Sequence, residues 1–407
     1  MSDRFHIESL GAHGDGVTAE GVYIAGALPG ETVRAKAQGH RAELLEVLDA
    51  SADRQSPACR HFGICGGCTL QHASDGFLAG WKRDLVFRAL AQRGLEGVEV
   101  RPVITSPPGA RRRVTLTGRR TKKGVLLGFH AAGSDEIVPI SECPVSAPVI
   151  AAKLAGLAEL IQAGASRKGE MRLTVTVSDA GLDVAAEGGK PIEGGLYGQL
   201  VAVAATKDLA RLSWNGDVVV SRRPAVQHFG PIQLVPPPGG FMQATRDGEE
   251  ALIAQVLSAT RGATRIVDLF SGSGTFTLPL ATGAQVHAVE EQEAALQSLD
   301  AAWRHADGLR SVSTEARDLN HRPMLARELE RFDAAVIDPP RAGARAQTVE
   351  LAKSGIPVIA SVSCNPATFA RDARMLVDAG YRLDWVQPVD QFRWSPHIEL
   401  AAKLSRA

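Results

Sequence analysis

From Arg246 onward the chain alternates short apolar runs with helical patterns, and this repetition constrains its fold more than any other feature. Runs at 265–270, 285–289, 334–338 and 357–363 read as strands, and helical patterns at 249–258, 276–281, 291–305 and 366–379 lie between and around them. A strand that crosses a helix before meeting its neighbour pairs parallel. The stretch therefore predicts an α/β fold, a Rossmann-like doubly wound sheet with ligands at the carboxyl ends of its strands. The last segments, 382–388 and 398–405, read as an antiparallel pair at the edge.

The rest of the chain has another texture. Gly11, Gly14, Gly16, Gly21 and Gly26 punctuate the first fifty residues, and Pro29-Gly30 leads into the alternating run 32–37, the pattern of a small β-barrel. A helical pattern at 77–95 gives way to alternating runs at 114–117, 125–129 and 173–177, interrupted by a helix at 148–163. Pro236-Pro237-Pro238-Gly239-Gly240 reads as a loop near a second boundary. Three domains are expected, 1–50, 51–225 and 226–407, a count that 407 residues accommodate.

Lys plus Arg and Asp plus Glu both number 45, so overall charge indicates no nucleic-acid or membrane partner, and any basic site has to be local. The charged N-terminus lacks the apolar core of a secretory signal, and no run approaches the roughly 18 apolar residues of a membrane span. A soluble, cytoplasmic protein without membrane contact is expected, and no feature points to a protein partner.

The strand at 265–270 runs into Ser271-Gly272-Ser273-Gly274-Thr275, a glycine turn that lets backbone amides approach a ligand. A dinucleotide fingerprint would place a third glycine where Thr277 stands. S-adenosylmethionine, which has no phosphate, suits the turn better than NAD. Glu290, ending the next strand, can accept hydrogen bonds from two ribose hydroxyls, and Asp318 is placed to meet the adenine amino group. Taken singly, either carboxylate is as easily a solvated helix-start residue.

Asp338-Pro339-Pro340-Arg341 closes an apolar strand, and its prolines stiffen the exit so that Asp338 faces the pocket rim. Alone, the motif suggests methylation of a base amino group, or simply a rigid turn. Cys364-Asn365-Pro366 follows the next strand and brings a thiol to the same edge, at a helix start expected to favour the thiolate. Amino methylation needs no thiol. Methylation at C5 of a pyrimidine does, because C5 becomes nucleophilic only after a group adds to C6. A base must then remove the C5 proton; His397 and Glu399 are candidates, sharing one face if the tail is a strand.

Four further cysteines remain. Cys59, Cys65 and Cys68 form C-x5-C-x2-C, with Cys143 distant and followed by a proline. Four thiolates can hold zinc or a [4Fe-4S] cluster; three clustered ligands plus a remote one lie nearer to cluster ligation. Arg111, Arg112, Arg113, Arg119, Arg120, Lys122 and Lys123 put seven cations in thirteen residues without a carboxylate, a local phosphate-binding footprint or a solvated hairpin.

Together these motifs, Phe241-Met-Gln243, Asp268 to Gly274, Glu290, Asp338-Pro-Pro-Arg341, Ser363 to Pro366 and His397-Ile-Glu399, give the chain a resemblance to the RNA uracil-C5 methyltransferase family over nearly its whole length. The resemblance implies that Cys364 attacks uracil C6, that Glu399 takes the C5 proton, and that Asp338 lies between methyl donor and uracil. It implies that Gln243, Phe270, Gly272, Gly274, Thr275, Glu290 and Asp318 line the S-adenosylmethionine site. It also implies a [4Fe-4S] cluster on Cys59, Cys65, Cys68 and Cys143, an N-terminal OB-like barrel of the TRAM type, a central iron-sulfur domain, and packing of the helix at 77–95 on the catalytic domain. The pairing of barrel and cluster resembles the branch acting on 23S ribosomal RNA, with the tRNA T-loop as second substrate. Ser271, Thr275, Thr245 and Arg393-Trp394 depart from common family residues. An amino-group methyltransferase and a non-catalytic RNA-binding protein are the competing expectations.

Overall fold

The computed structural model of the protein describes residues 3–406. Its largest sheet has the strand order Val312–Ala316, Gln285–Glu290, Arg265–Leu269, Ala334–Ile337, Val358–Ser363, Glu399–Ser405, Arg382–Asp390 and Glu99–Val100, with Ile104–Thr105 also paired to Arg382–Asp390. The first five strands are mutually parallel. Numbered along the chain they run 3-2-1-4-5, so the order reverses between Arg265–Leu269 and Ala334–Ile337, and a ligand crevice belongs there.

Both faces of this sheet are covered. On one, Leu351, Phe369, Leu376, Val86 and Leu90 share a core with Val267, Leu269 and Ile337; on the other, Leu252, Val256, Phe276 and Leu280 pack with Val336 and Val362. Val86 and Leu90 belong to the helix Asp75–Ala91, capped by the Ser74 hydroxyl, so this helix and the strand Glu99–Val100 are built into the largest sheet although they lie far upstream in sequence. The pair 382–390 and 399–405 is antiparallel, as its alternation suggested, but Glu99–Val100 extends the sheet beyond it.

A second sheet of seven strands spans Arg113–Arg120 to Asp217–Ser221, with the helices Pro148–Gly164 and Leu196–Thr206 burying Leu157, Ile161 and Leu200 beside Trp214. The N-terminal sheet has six strands, and its edge strands, Asp3–His6 and Ser9–Leu10, are joined by two residues alone. Edges so tethered lie within about 10 Å of each other, which curls the sheet around Ile7, Ile24, Val33 and Ala35. Among the described residues, no helix is long and apolar enough to cross a membrane.

Candidate active site and cysteine cavity

The carboxyl ends of four parallel strands deliver Asp268, Glu290, Asp338 and Cys364 to one edge of the sheet. Glu399 reaches that edge from the opposite direction. Its strand is antiparallel to Val358–Ser363 in a register that sets Ser363 against Leu400, and one residue further that register sets Cys364 against Glu399. His397 falls before the strand begins and is exposed, edge-on to Phe392 at 5.9 Å, whereas Glu399 is buried. Period-two alternation therefore does not place the two side chains together, and Glu399 alone faces the thiol.

The electrostatics are those of crowded carboxylates. Burial pushes Asp338 up to about 7. Burial, then the neighbouring Asp338 charge, pushes Glu399 up to about 8. Burial, followed by Glu399 and Asp338, holds the Cys364 thiol at about 11. The helix that starts at Pro366 does not outweigh these effects, so the thiol's hold on its proton is raised where the sequence suggested that the thiolate would be favoured.

Around the crossover crevice the glycine turn is held open by backbone geometry. Phe270 has φ 63°, an outlier for a bulky residue, and packs partly against the core. Gly274 has φ 96°, and a Cβ there would lie 2.5 Å from Leu299 Cδ1, while Gly272 has φ 55° and open space above it. Thr275 sits in the turn, half-buried, and the helix expected at 276–281 shrinks to Thr277–Leu280. The Gly272 amide donates to Glu290 Oε2 and the Gln292 amide to Oε1, both at 3.0 Å, which fixes the carboxylate and leaves lone pairs for hydroxyl donors.

Asp268 is buried and accepts from the Thr277 hydroxyl at 2.6 Å; its other oxygen has no partner, and burial, with Asp338 and Glu290 nearby, pushes it up to about 7. Asp318 follows the strand Val312–Ala316 in an open turn, where His321 and the Asn320 amide hold its carboxylate and keep it below its usual range. Gln243 is buried, and its Oε1 accepts from Gln391 Nε2 at 2.8 Å. Gln391 also accepts from the Thr245 amide at 3.2 Å; nothing in the sequence had singled it out.

The arginine run does not form one basic face. Arg112 is buried, paired with Glu249 and donating to the Gln243 carbonyl, so it ties the central sheet to the catalytic domain. Arg111 lies over the Phe392 ring at 5.5 Å beside the cysteines, and Arg113 donates to the Gly239 carbonyl at 3.2 Å. Arg119 pairs with Glu170. Lys122 and Lys123 remain exposed at the hairpin tip.

Cys59, Cys65, Cys68 and Cys143 all line one cavity of about 510 Å³, together with Arg111, Phe392 and His397. All four are free thiols. The Gly67 amide approaches Cys65 Sγ at 3.5 Å and the His61 amide approaches Cys59 Sγ at 3.4 Å. Burial, with smaller contributions from the other three cysteines, pushes Cys68 up to about 11. Among the described residues, no group of three or more His, Cys, Asp or Glu side chains is gathered tightly enough to hold a single metal ion.

Residues 237–407 match the family described as tRNA (uracil-5-)-methyltransferase. An uncharacterized RNA methyltransferase of Brucella suis is 46% identical over 403 residues, covering 98% of this chain and 97% of the relative. The 23S rRNA (uracil(1939)-C(5))-methyltransferase RlmD of Halomonas elongata is 32% identical, covering 97% and 87%. The crystal structure of the Pyrococcus abyssi tRNA (uracil-54, C5)-methyltransferase with S-adenosyl-L-homocysteine superposes with a TM-score of 0.79 at 26% identity, covering 98% of this chain and 99% of that one.

Proposed function

The chain belongs to the RNA uracil-C5 methyltransferase family of S-adenosylmethionine-dependent enzymes, and on that premise we propose that it methylates C5 of a uridine in 23S ribosomal RNA through a covalent adduct with Cys364. One observation carries the mechanism: the strand register that sets Cys364 against Glu399, with Asp338 close enough to shift both.

In this reading the Cys364 thiol gives up its proton to solvent and its sulfur adds to C6, forming a sulfur–carbon bond while the C5–C6 double-bond electrons move onto the C5–C4–O4 enolate. When bound, S-adenosylmethionine would supply the methyl group, its sulfur–methyl bond breaking as the C5–methyl bond forms. Glu399 then takes the C5 proton; the C–H electrons restore the C5–C6 double bond and expel the Cys364 sulfur. A carboxylate whose affinity for protons is raised to about 8 is matched to that removal near neutral pH. Asp338 is placed by its strand end between the glycine turn and Cys364, where it orients the uracil edge. Gln243, Phe270, Gly272, Gly274, Thr275, Glu290 and Asp318 form the donor site.

The same reading extends to the rest of the molecule, as an OB-like TRAM barrel at 1–50, an iron-sulfur and RNA-binding domain at 51–225 and the methyltransferase domain at 226–407. The four cysteines suit a [4Fe-4S] cluster better than zinc. All four line one cavity, and three clustered ligands plus a remote one lie nearer to cluster ligation than to the paired C-x-x-C hairpins of zinc ribbons. Amides directed at Cys59 and Cys65 fit the thiolate ligands that a cluster needs. The match to a 23S-acting relative over 97% of the chain supports ribosomal RNA, and the tRNA-named structure keeps the T-loop uridine as second reading.

The test is methyl transfer to 23S RNA and to tRNA, each transcribed without modification, followed by nuclease digestion and mass spectrometry. 5-Methyluridine in 23S RNA alone is the expected result; label in tRNA alone selects the second reading, and N-methylated bases would contradict the mechanism.

A further inference from the structure

The segment 390–397 starts at the last residue of the strand Arg382–Asp390 and has no regular structure beyond it, yet nearly every residue in it is fastened. Lys82 and Asp390 form a buried pair at 2.6 Å, and Lys82 Nζ also donates to the Phe392 carbonyl at 3.2 Å. Asp390 accepts in turn from the Phe392 amide at 2.9 Å. Gln391 is held between Gln243 and Thr245. Arg393 pairs with Asp75 and donates to the Ser106 carbonyl at 3.0 Å.

Trp394 is the centre of the arrangement. It is 5% exposed and packs among Leu10, Leu28, Leu70, Leu78 and Trp81, so residues from the N-terminal sheet, the cysteine loop and the helix Asp75–Ala91 all meet it. Its φ of 61° is rare for so large a side chain, and its indole N–H is buried without an acceptor. Such a conformation persists only where the surroundings over-determine it. Its carbonyl accepts two hydrogen bonds at 3.0 Å, from the Thr69 and Leu70 amides, immediately after Cys68.

We infer that segment 390–397 is a strut through which the cysteine loop positions Glu399, with Trp394 as its positioning residue. The strut is anchored to the cysteine loop at Trp394, and the strand that carries Glu399 begins five residues later. Phe392, Arg393, Ser395, Pro396 and His397 line the same cavity as the four cysteines. A group bound there would stiffen the loop, and loss of that order would loosen the approach of Glu399 without touching Cys364, which belongs to a different strand. Displacement of a catalytic group by about 1 Å costs on the order of 100-fold in rate.

The inference rests on Glu399 acting as the C5 base, and the test separates the two. With Trp394→Ala, turnover on ordinary RNA should fall about 100-fold, while affinity for S-adenosylmethionine and the rate of adduct formation with 5-fluorouridine RNA stay within about threefold, since neither needs proton removal. Ordinary RNA should then accumulate as a methylated covalent adduct, and Trp394→Phe should restore most turnover. Equal loss of adduct formation and turnover, or no loss of turnover, would overturn the inference. The coupling arm uses hydrogen exchange in Cys68→Ser: peptides over 390–399 should exchange faster while the strand Val358–Ser363 does not, and unchanged exchange over 390–399 would overturn it. If Glu399→Gln itself fails to trap ordinary RNA, the base assignment fails instead.

Discussion

The chain places thiols in two settings that differ in what surrounds them. Burial pushes Cys364 and Cys68 alike up to about 11, but the remaining causes diverge: carboxylates crowd Cys364, whereas Cys68 is crowded by other cysteines beside the Arg111 guanidinium. Four cysteines lining one cavity would be relieved as thiolates by bound positive charge, which is the setting the proposed cluster needs. A single thiol facing carboxylates is relieved by bonding to neutral carbon, or by keeping its proton. Under the proposed function the same side chain would serve retention in one place and reversible addition in the other, with its neighbours making the difference.

The comparison can be broken most severely at the nucleophile. Cys364→Ala should lower turnover by about 10⁴- to 10⁶-fold, with calorimetric affinity for S-adenosylmethionine unchanged. Removing the facing charge sharpens it: Glu399→Gln should cost about 10²- to 10⁴-fold in turnover. In the same variant, Cys364 should alkylate with iodoacetamide faster, by up to about tenfold, because one of the charges that disfavour its thiolate is gone. A slower alkylation would show that the carboxylate does not suppress the thiolate.

At the other sulfur site, if the proposed cluster is held there, Arg111→Ala should shorten its retention against a chelator by about tenfold, followed by iron release, while leaving the rate of Cys364 alkylation unaltered. The smallest effect is on stability. Asp268, Asp338 and Glu399 all bind protons more tightly in the folded chain than carboxyls do when unfolded. Their contribution is therefore complete below about pH 4 and is lost as pH rises through about 7 to 8, so the ligand-free melting temperature should decline from pH 6 to pH 9. Glu399→Gln should flatten that decline; an unchanged slope would contradict the shift assigned to this residue.

What the sequence disclosed follows from how each residue is placed. Asp338, Glu290 and Cys364 stand directly after apolar runs, and parallel topology brings every such end to one edge, so local pattern was enough. Glu399 was legible by resemblance, but its facing of Cys364 depends on the register Ser363 to Leu400, which no local pattern encodes. Arg111, Arg112 and Arg113 are adjacent in sequence yet meet Phe392, Glu249 and Gly239, because the first two lie in irregular backbone leading into the strand Arg113–Arg120 and the partners of all three come from elsewhere in the chain. The strand Leu209–Trp214 is buried on both faces and shows no alternation, and it escaped the period-two reading for that reason. Trp394 and Gln391 lie in irregular backbone, where only tertiary packing reveals a role.

The central claim is that Cys364 forms a bond to uracil C6, and the most direct measurement is incubation of the protein with 5-fluorouridine-substituted 23S RNA and S-adenosylmethionine, followed by denaturing electrophoresis. Fluorine at C5 cannot leave as a proton, so the adduct is trapped. The account predicts a methylated protein–RNA complex that disappears in Cys364→Ala, with the crosslink mapping to one uridine. Methylation of ordinary RNA by the Cys364→Ala chain, or its absence of any effect on the trapped complex, would contradict it.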